Sequence, residues 1–313
     1  MTRELRNRTG VPISAAMAPD ISNLDVALGV TVPTRHARGR AVRLGPALDA
    51  VLAAHDYPLP IERLLAEALA LTALLGALLK DSGGQLTLQA QTQGGVVDLL
   101  VCDYKGGELR GYVRHDPVKL ADAARSPTLK TLFGEGYLAI TFDQPATDER
   151  YQGIVPLEGE GLAEAAQSYF SQSEQIPSIV RLAAEKRDGR WVAGGILCQH
   201  LPEGEEGRER LHTRLDHPDW DHVAVLAGSV RPDELLDPAL TLETLVWRLF
   251  HEEAEVRVTP GAALTRGCRC DPGYVRSVIA RFPQDEREQM KGEDGVIRVD
   301  CEFCSTSFPL SFD

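Results

Sequence analysis

Two short stretches decide the fold of the C-terminal end of this chain: TRGCRCDPGYV at residues 265–275 and DCEFCS at residues 300–305. They contain a C-x-C pair and a C-x-x-C pair, formed by Cys268, Cys270, Cys301 and Cys304. Two close pairs at this separation can converge on one tetrahedral Zn²⁺ as four thiolates. The sequence therefore predicts a Cys₄ zinc site that staples a unit too small to build a substantial core of its own.

The same cysteines also leave a redox role open. A disulfide between Cys268 and Cys270 would close a very small ring under strain, and strained disulfides are easily reversed. Zinc-bound thiolates remain nucleophilic, so an oxidant can attack them. Loss of the ligands would then unfold the unit, because the metal-binding free energy of such a site is largely its folding free energy. We therefore weigh a permanent metal clip against a switch between metal and disulfides.

The composition is that of a soluble globular protein, with 43% hydrophobic and 25% charged residues among 313. The formal net charge of −13 argues against a nucleic-acid partner, which needs a basic surface. We find no secretory signal, and the longest uncharged apolar run, residues 68–79, is too short to span a bilayer. We expect no membrane association and a cytoplasmic location, where thiols stay reduced.

The N-terminal two thirds predict an α+β core over residues 22–202, preceded by a flexible tail over residues 1–21. Leucines at near-helical spacing in IERLLAEALALTALLGALLK, residues 61–80, predict a long buried helix. Alternating runs bounded by glycine-rich turns predict antiparallel strands at 85–91, 96–102, 108–114, 137–142, 151–157 and 191–201. GRAVRL, residues 39–44, predicts a further strand before a turn and a helix, and VIRVDCEF, residues 296–303, is strand-like. Cys102 and Cys198 lie alone in these strand patterns and are expected to be buried as small hydrophobic residues.

An acidic segment separates the core from the cysteines. Residues 203–255 contain 14 Asp or Glu against five Arg, a net charge of −9. Two amphipathic helices are predicted here, near 219–227 and in LTLETLVWRLFHEE, with Asp219, Asp233 and Thr241 as candidate caps. Such helices fold only by docking their apolar stripes onto another surface, so the segment is expected to be marginally stable. The stretch HTRLDHPDWDH, residues 212–222, is interpreted as a solvated acidic linker.

The cysteine spacing, with RLFHEEAEVRV before it and VDCEFCSTSF at its end, resembles the heat-shock protein 33 family, the redox-regulated 33 kDa chaperonins. The core stretches GRAVRLGPALDAVLAAHDYP, LQAQTQGGVVDLLV, LRGYV and YQGIVPLEGEGLAEAAQSYFSQSEQIPS are similar to motifs of the same family. The resemblance covers about residues 22–313. It implies an N-terminal α/β core with antiparallel sheets, a metastable helical linker over residues 203–264 and a zinc-binding redox-switch domain over residues 265–313.

The resemblance also implies a function, an ATP-independent holdase chaperone that is zinc-bound and inactive when reduced. Oxidation would form the disulfides Cys268–Cys270 and Cys301–Cys304, with the C-x-x-C pair sensing peroxide, and zinc would leave. The linker would then unfold, and the protein would dimerise and hold unfolding client proteins. These clients would later pass to ATP-driven foldase chaperones.

Two other functions stay open on the residues alone. A thiol-disulfide oxidoreductase could use the C-x-x-C pair, although no thioredoxin-like βαβ context surrounds it. A structural zinc-ribbon interaction module would keep its metal permanently. No P-loop motif and no G-x-S-x-G motif occurs in the sequence, so we predict that the chain is not an enzyme.

Overall fold

The computed structural model describes residues 21–79, 83–123, 127–146, 148–201 and 217–312. Almost all of the predicted N-terminal tail and the first part of the predicted linker lie outside the described residues. The described chain has the mixed α+β fold with antiparallel sheets that the sequence predicts, and a small C-terminal unit carries the four clustered cysteines.

Two sheets and one small hairpin form the β-structure. The first sheet contains β1 (Val26–Val32), β2 (Ala37–Leu44), β8 (Ser178–Arg187), β9 (Arg190–His200) and β10 (Arg257–Pro260). Its order is β10-β1-β2-β9-β8, and all neighbours are antiparallel. The second sheet contains β3 (Gln85–Thr92), β4 (Val97–Lys105), β5 (Glu108–His115), β6 (Gly136–Gln144), β7 (Glu149–Pro156) and β11 (Thr265–Arg266). Its order is β11-β5-β4-β3-β6-β7, and only the β11–β5 pair is parallel. The hairpin contains β12 (Ile297–Asp300) and β13 (Ser307–Leu310).

Ten α-helices connect and cover these strands in the described part of the chain. They are α1 (Pro46–Leu52), α2 (Leu59–Gly76), α3 (Pro117–Asp122), α4 (Leu129–Phe133), α5 (Leu162–Tyr169), α6 (Pro218–Gly228), α7 (Pro232–Leu236), α8 (Leu242–Phe250), α9 (Pro272–Ile279) and α10 (Gln284–Gln289). Within the described ranges, none of the helices is both long enough and apolar enough to cross a membrane.

Helix α2 is the centre of the main core and confirms the buried helix predicted from leucine spacing. It packs against strands of both sheets, and most of its side chains are buried. Gly76 lets the end of the helix meet the second sheet, because a Cβ there would lie 2.2 Å from the ring of Tyr104. Cys102 and Cys198 are also buried, as predicted, and burial raises the pKa of both thiols.

The predicted strands are all present, but the sequence reasoning missed β1, β8, β10, β11 and β13. The burial pattern of β8 does not alternate, so it gives no period-two signal. Strand β10 has four residues, all of them exposed to solvent, and β11 has only two residues. These short strands are held by backbone pairing to β1 and β5, which a local pattern cannot reveal.

Helices α6, α7 and α8 cover the outer face of the first sheet and form a second hydrophobic cluster with it. The predicted stripe of α8 is confirmed, since Leu242, Leu245, Val246 and Phe250 are all buried. Thr241 caps α8 by accepting a hydrogen bond from the backbone N–H of Thr244, also as predicted.

The prediction of a solvated acidic linker over 212–222 is wrong for its described part, residues 217–222. Trp220 is only 7% exposed and packs in the second cluster, because α6 docks on the sheet. The cap of α6 is the imidazole of His217, which accepts a hydrogen bond from the backbone N–H of Asp219. Asp219 instead pairs with Arg35 at 2.7 Å.

Glu67, on α2, offers a test of this core. Burial is the main reason that the pKa of Glu67 is raised to about 7, with a smaller contribution from Glu164 and an opposing one from Arg63. The unfolded chain releases this proton at lower pH than the folded chain does. The stability that the neutral form contributes is therefore present below about pH 4.5 and is lost as pH rises through 7.

We expect Glu67→Gln to raise the free energy of unfolding by about 2 kcal/mol at pH 8 and to change it little at pH 4. Urea denaturation of the variant and the wild type at the two pH values measures this difference. Glu158→Gln, at an exposed glutamate, is the matched control. An equal gain at both pH values would show that Glu67 is not a buried acid.

Candidate metal centre

The four C-terminal cysteines are held on two backbone loops. Cys268 follows β11, where the N–H of Gly267 donates to the carbonyl of Leu109 on β5 at 2.9 Å. A Cβ at Gly267 would lie 2.6 Å from the Cβ of Glu108, so glycine permits this close approach of the loop to the sheet. Asp271, directly after Cys270, caps α9 and ends the first loop.

The second loop follows β12 and reverses the chain into β13. The N–H of Cys304 donates to the carbonyl of Cys301 at 3.2 Å, and the N–H of Ser305 donates to the same carbonyl at 2.7 Å. Ser305 adopts a positive φ of 55°, which lets the chain return along the hairpin. This tight turn brings the two cysteines of the C-x-x-C pair to one side of the hairpin.

The two loops place the four Sγ atoms within 4.8 Å of one another. The Sγ atoms of Cys268 and Cys270 are 3.2 Å apart. Two further pairs join the loops, Cys268 with Cys301 at 3.6 Å and Cys270 with Cys304 at 3.5 Å. A tetrahedral site with Zn–S bonds of about 2.3 Å has S–S edges of about 3.8 Å, so these distances fit a four-thiolate metal site. All four residues that the sequence predicts are therefore together.

All six cysteines are free thiols. The clustered four are half-buried, so an oxidant has access to them, whereas Cys102 and Cys198 lie inside the core. The distances alone leave the disulfide pairing open, since the pairs between loops are nearly as short as the Cys268–Cys270 pair.

The thiols differ in how readily they ionise. Burial opposes ionisation of Cys304, but hydrogen bonds with the hydroxyl and backbone of Thr306, and with Cys268 and Cys270, outweigh it and lower the pKa of Cys304 to about 6. A hydrogen bond with Cys268, followed by burial, raises the pKa of Cys270 to about 12. Burial also raises the pKa of Cys301. Four thiolates this close together repel one another, and a bound metal ion would neutralise that charge.

The cysteine unit rests on the outer side of the second sheet through residues that the sequence reasoning did not select. Arg269 lies between Cys268 and Cys270, and Phe303 lies between Cys301 and Cys304. Both side chains contact the β4–β5 pair, about 160–200 residues earlier in the chain. A lone arginine and a lone aromatic residue give no local signal for such distant contacts.

Comparison with known proteins agrees with this geometry. The model of the Hsp33 protein family matches residues 25–311. A 33 kDa chaperonin of Caulobacter vibrioides is 42% identical over 303 residues, which are 94% of this chain and 97% of that protein. A 33 kDa chaperonin of Cronobacter sakazakii is 35% identical and covers 87% of both chains. The crystal structure of a 33 kDa chaperonin from Thermotoga maritima has the same fold, with a TM-score of 0.74 over 91% of this chain and 94% of that chain, at 21% identity. The resemblance stated from the sequence motifs is confirmed.

The geometry predicts that the reduced chain binds one divalent metal ion through four thiolates. Titration with Co²⁺ should give the thiolate charge-transfer and tetrahedral d–d absorption bands at one ion per chain, and Zn²⁺ should displace them. Cys268→Ser and Cys304→Ser should each weaken Zn²⁺ binding at least about tenfold, because each removes a ligand. Cys198→Ala, at a buried thiol outside the cluster, should bind like the wild type. Unchanged affinity in both serine variants would contradict the four-sulfur site.

Proposed function

Because this chain belongs to the Hsp33 protein family, we propose that it is a redox-regulated holdase, a chaperone that holds unfolding proteins without ATP. In this proposal the Cys₄ site binds Zn²⁺ in the reduced, inactive form. Oxidation of the cysteines frees the helices that cover the first sheet, and the uncovered surfaces bind clients. The observation that carries the proposal is the apolar outer face of this sheet, which is covered by helices that lie directly before the cysteines in the chain.

The covered face is a suitable client surface because it is apolar and continuous. The first sheet contributes Leu28, Val30, Val32, Ala37, Ala41, Ala183, Ile196 and Cys198. The helices contribute the buried residues Trp220, Val223, Ala227, Leu235, Leu236, Leu242, Leu245, Val246 and Phe250. Undocking would expose both sets, and large exposed apolar patches bind other apolar chains. Burial of each large apolar side chain against a client would contribute roughly 1.5–3 kcal/mol to the free energy of binding.

Polar contacts from the core hold these helices. The guanidinium of Arg43 on β2 is fully buried and donates to the carbonyls of Leu235 at 2.7 Å and Leu240 at 2.6 Å. It also donates to the carbonyl of Glu234 at 3.1 Å, so it satisfies the C-terminal end of α7. Burial lowers the pKa of Arg43 to about 10, so the side chain stays charged at neutral pH.

A second set of contacts joins the ends of the helical segment to the turn after β1. Arg35 pairs with Asp219 at the start of α6 and, at 2.9 Å, with Glu253 after α8. Glu253 is also 2.7 Å from the imidazole of His222. These pairs offset part of the acidic charge of the segment, so docking depends on the core and not on the helices alone.

The chain between the helices and the cysteines forms a strap across both sheets, residues 257–267. Its first part, β10, pairs with β1, and its last part, β11, pairs with β5. Between them Leu264 is buried in the main core, and its N–H donates to the carbonyl of Asp25 at 2.9 Å. Release of the cysteine unit would leave this short strap without its C-terminal attachment and would weaken the docking of α6–α8.

The redox step uses the four thiolates of the proposed zinc site. Zn²⁺, when bound, would cross-link the two loops and keep their sulfurs deprotonated. One thiolate attacks hydrogen peroxide, the O–O bond breaks, and a sulfenic acid and hydroxide form. The second cysteine of the same pair attacks the sulfenic sulfur, and the disulfide forms as the oxygen leaves in water. Each disulfide therefore passes two electrons to one peroxide, and two disulfides remove all four ligands.

The two other functions predict different behaviour. A thiol-disulfide oxidoreductase would turn over a disulfide substrate with a small reductant and would leave α6–α8 in place. A structural zinc-ribbon module would keep its metal under oxidant. The covered apolar face next to an oxidant-accessible cysteine cluster favours the holdase, because neither alternative gives that face a role.

We expect peroxide at mildly raised temperature to form Cys268–Cys270 and Cys301–Cys304 and to release the Zn²⁺ bound per chain. The oxidised protein should then suppress the light scattering of chemically denatured citrate synthase, and the reduced protein should not. Peptide mass spectrometry identifies the disulfides, and zinc quantitation measures the release of the metal. The control variant Cys198→Ala should behave like the wild type. Zinc release without suppression of client aggregation would refute the holdase.

Arg43→Met should partly activate the reduced protein. Methionine fills similar volume but leaves up to three buried carbonyls without donors, each at a cost of roughly 1–3 kcal/mol. We expect faster hydrogen exchange in α7 and α8 and measurable suppression of client aggregation without oxidant. Arg40→Met is the control, because Arg40 lies on the same strand but donates to the carbonyls of Gly39 and Ala77 on the other side of the sheet. Equal exchange in both variants would show that Arg43 does not hold the helices.

A further inference from the structure

The residue inside the C-x-C pair reaches into the second sheet. Arg269 places its Nη2 3.3 Å from Oδ2 of Asp103 and its Nη1 3.9 Å from Oε2 of Glu108. The Asp103 side chain is only 4% exposed, and it also accepts hydrogen bonds from Thr87 at 2.7 Å and from Arg110 at 2.7 Å. Arg269 therefore completes a half-buried charge network on β3, β4 and β5, and such pairs are screened less by solvent than surface pairs are.

Phe303, which lies inside the C-x-x-C pair, contacts the same part of the second sheet. The ring of Phe303 packs edge-to-face on Tyr112, with centroids 4.9 Å apart and an interplanar angle of 89°. The guanidinium of Arg110 lies 4.0 Å from the centre of the Phe303 ring. Arg110 thus joins the two loops, because it pairs with Asp103 and also stacks on Phe303.

We propose that Arg269 and Phe303 are positioning residues that couple the redox state of the cysteines to the docking of the C-terminal unit. Their receiving surface is formed by Asp103, Arg110 and Tyr112. The inference rests on the proposed function, since it names the contact through which that switch reaches the core. It concerns the reduced protein, in which docking is measurable whether or not the chain is a chaperone.

The chemistry of each pair explains why these positions are sensitive. A disulfide within C-x-C closes a very small ring around Arg269, and a disulfide within C-x-x-C closes a slightly larger one around Phe303. Each bond reorients the backbone that carries the docking side chain. Arg269 contacts Asp103, and Phe303 contacts Arg110, which is the hydrogen-bond partner of Asp103. Loss of one contact therefore weakens the other. Two oxidation events therefore act on one docking surface.

The test compares variants on the two sides of the contact. Phe303→Leu alters the cysteine loop, and Tyr112→Leu alters only the sheet, and both keep apolar bulk. In the reduced, zinc-loaded full-length protein, we expect each to speed hydrogen exchange in residues 262–267 about tenfold, while zinc stoichiometry stays at one per chain. Arg269→Gln should do the same, and Arg269→Lys should recover part of the protection because it keeps the charge. Each of the three docking variants should also need less peroxide for disulfide formation.

The controls lie in the same units without touching the surface. Phe282→Ala removes an exposed aromatic residue of the C-terminal unit, and Arg266→Gln removes an exposed cation of β11. Wild-type exchange in Tyr112→Leu, with faster exchange only in the loop variants, would overturn the proposal, because the effect would then arise inside the cysteine unit. Exchange equal to the controls in all docking variants would also overturn it. Faster exchange with no chaperone activity in the oxidised wild type would support the docking contact and refute the holdase.

Discussion

The first sheet is apolar on both faces, and the rest of the architecture depends on how the second of these faces is covered. The inner face packs on α2, and among the described residues after β9 this core contains Leu264 alone. The outer face is covered by α6–α8, which come from a strongly acidic segment. A sheet that exposes such a face binds whatever apolar surface it meets. In the proposed function, the position of these three helices would decide whether this face is covered or open to clients.

The cysteine unit lies on the other sheet, and the strap of residues 257–267 connects it to that cover. The strap carries β10 on the first sheet and β11 on the second, so the two sheets share one short piece of chain. Cys268 directly follows Gly267, whose N–H donates a hydrogen bond to the carbonyl of Leu109 on β5. In the proposed switch, a change in the cysteine loops would reach the first sheet through backbone hydrogen bonds over a few residues. Such a route would need no long-range rearrangement of the core.

Sequence reasoning found the features that local spacing encodes. The leucines of α2 and the stripe on α8 repeat at helical intervals, and both predicted helices are confirmed. The four cysteines have the spacing of a metal site, and the structure brings their sulfur atoms together. It failed where the determining partner is distant. Arg43 looks like an ordinary strand residue in GRAVRL, yet its acceptors lie more than 190 residues later. Arg269 and Phe303 also have partners far away in the chain, so local sequence spacing does not reveal their contacts. His217 caps α6 in place of Asp219, because docking with Arg35 engages the carboxylate elsewhere.

The acidic charge of the helical segment has two opposing effects on the docking of its helices. Self-repulsion among the carboxylates disfavours a compact segment. Docking reduces that cost, because Arg35 and Arg43 on the core meet Asp219, Glu253 and the carbonyl end of α7. Undocked helices lose these cations together with their apolar contacts, so the repulsion lowers the net stability of docking without reversing its sign. In the proposed switch, loss of a contact worth about 1–2 kcal/mol, such as an aromatic edge or a half-buried ion pair at the cysteine unit, would shift the docking equilibrium by a factor of about ten.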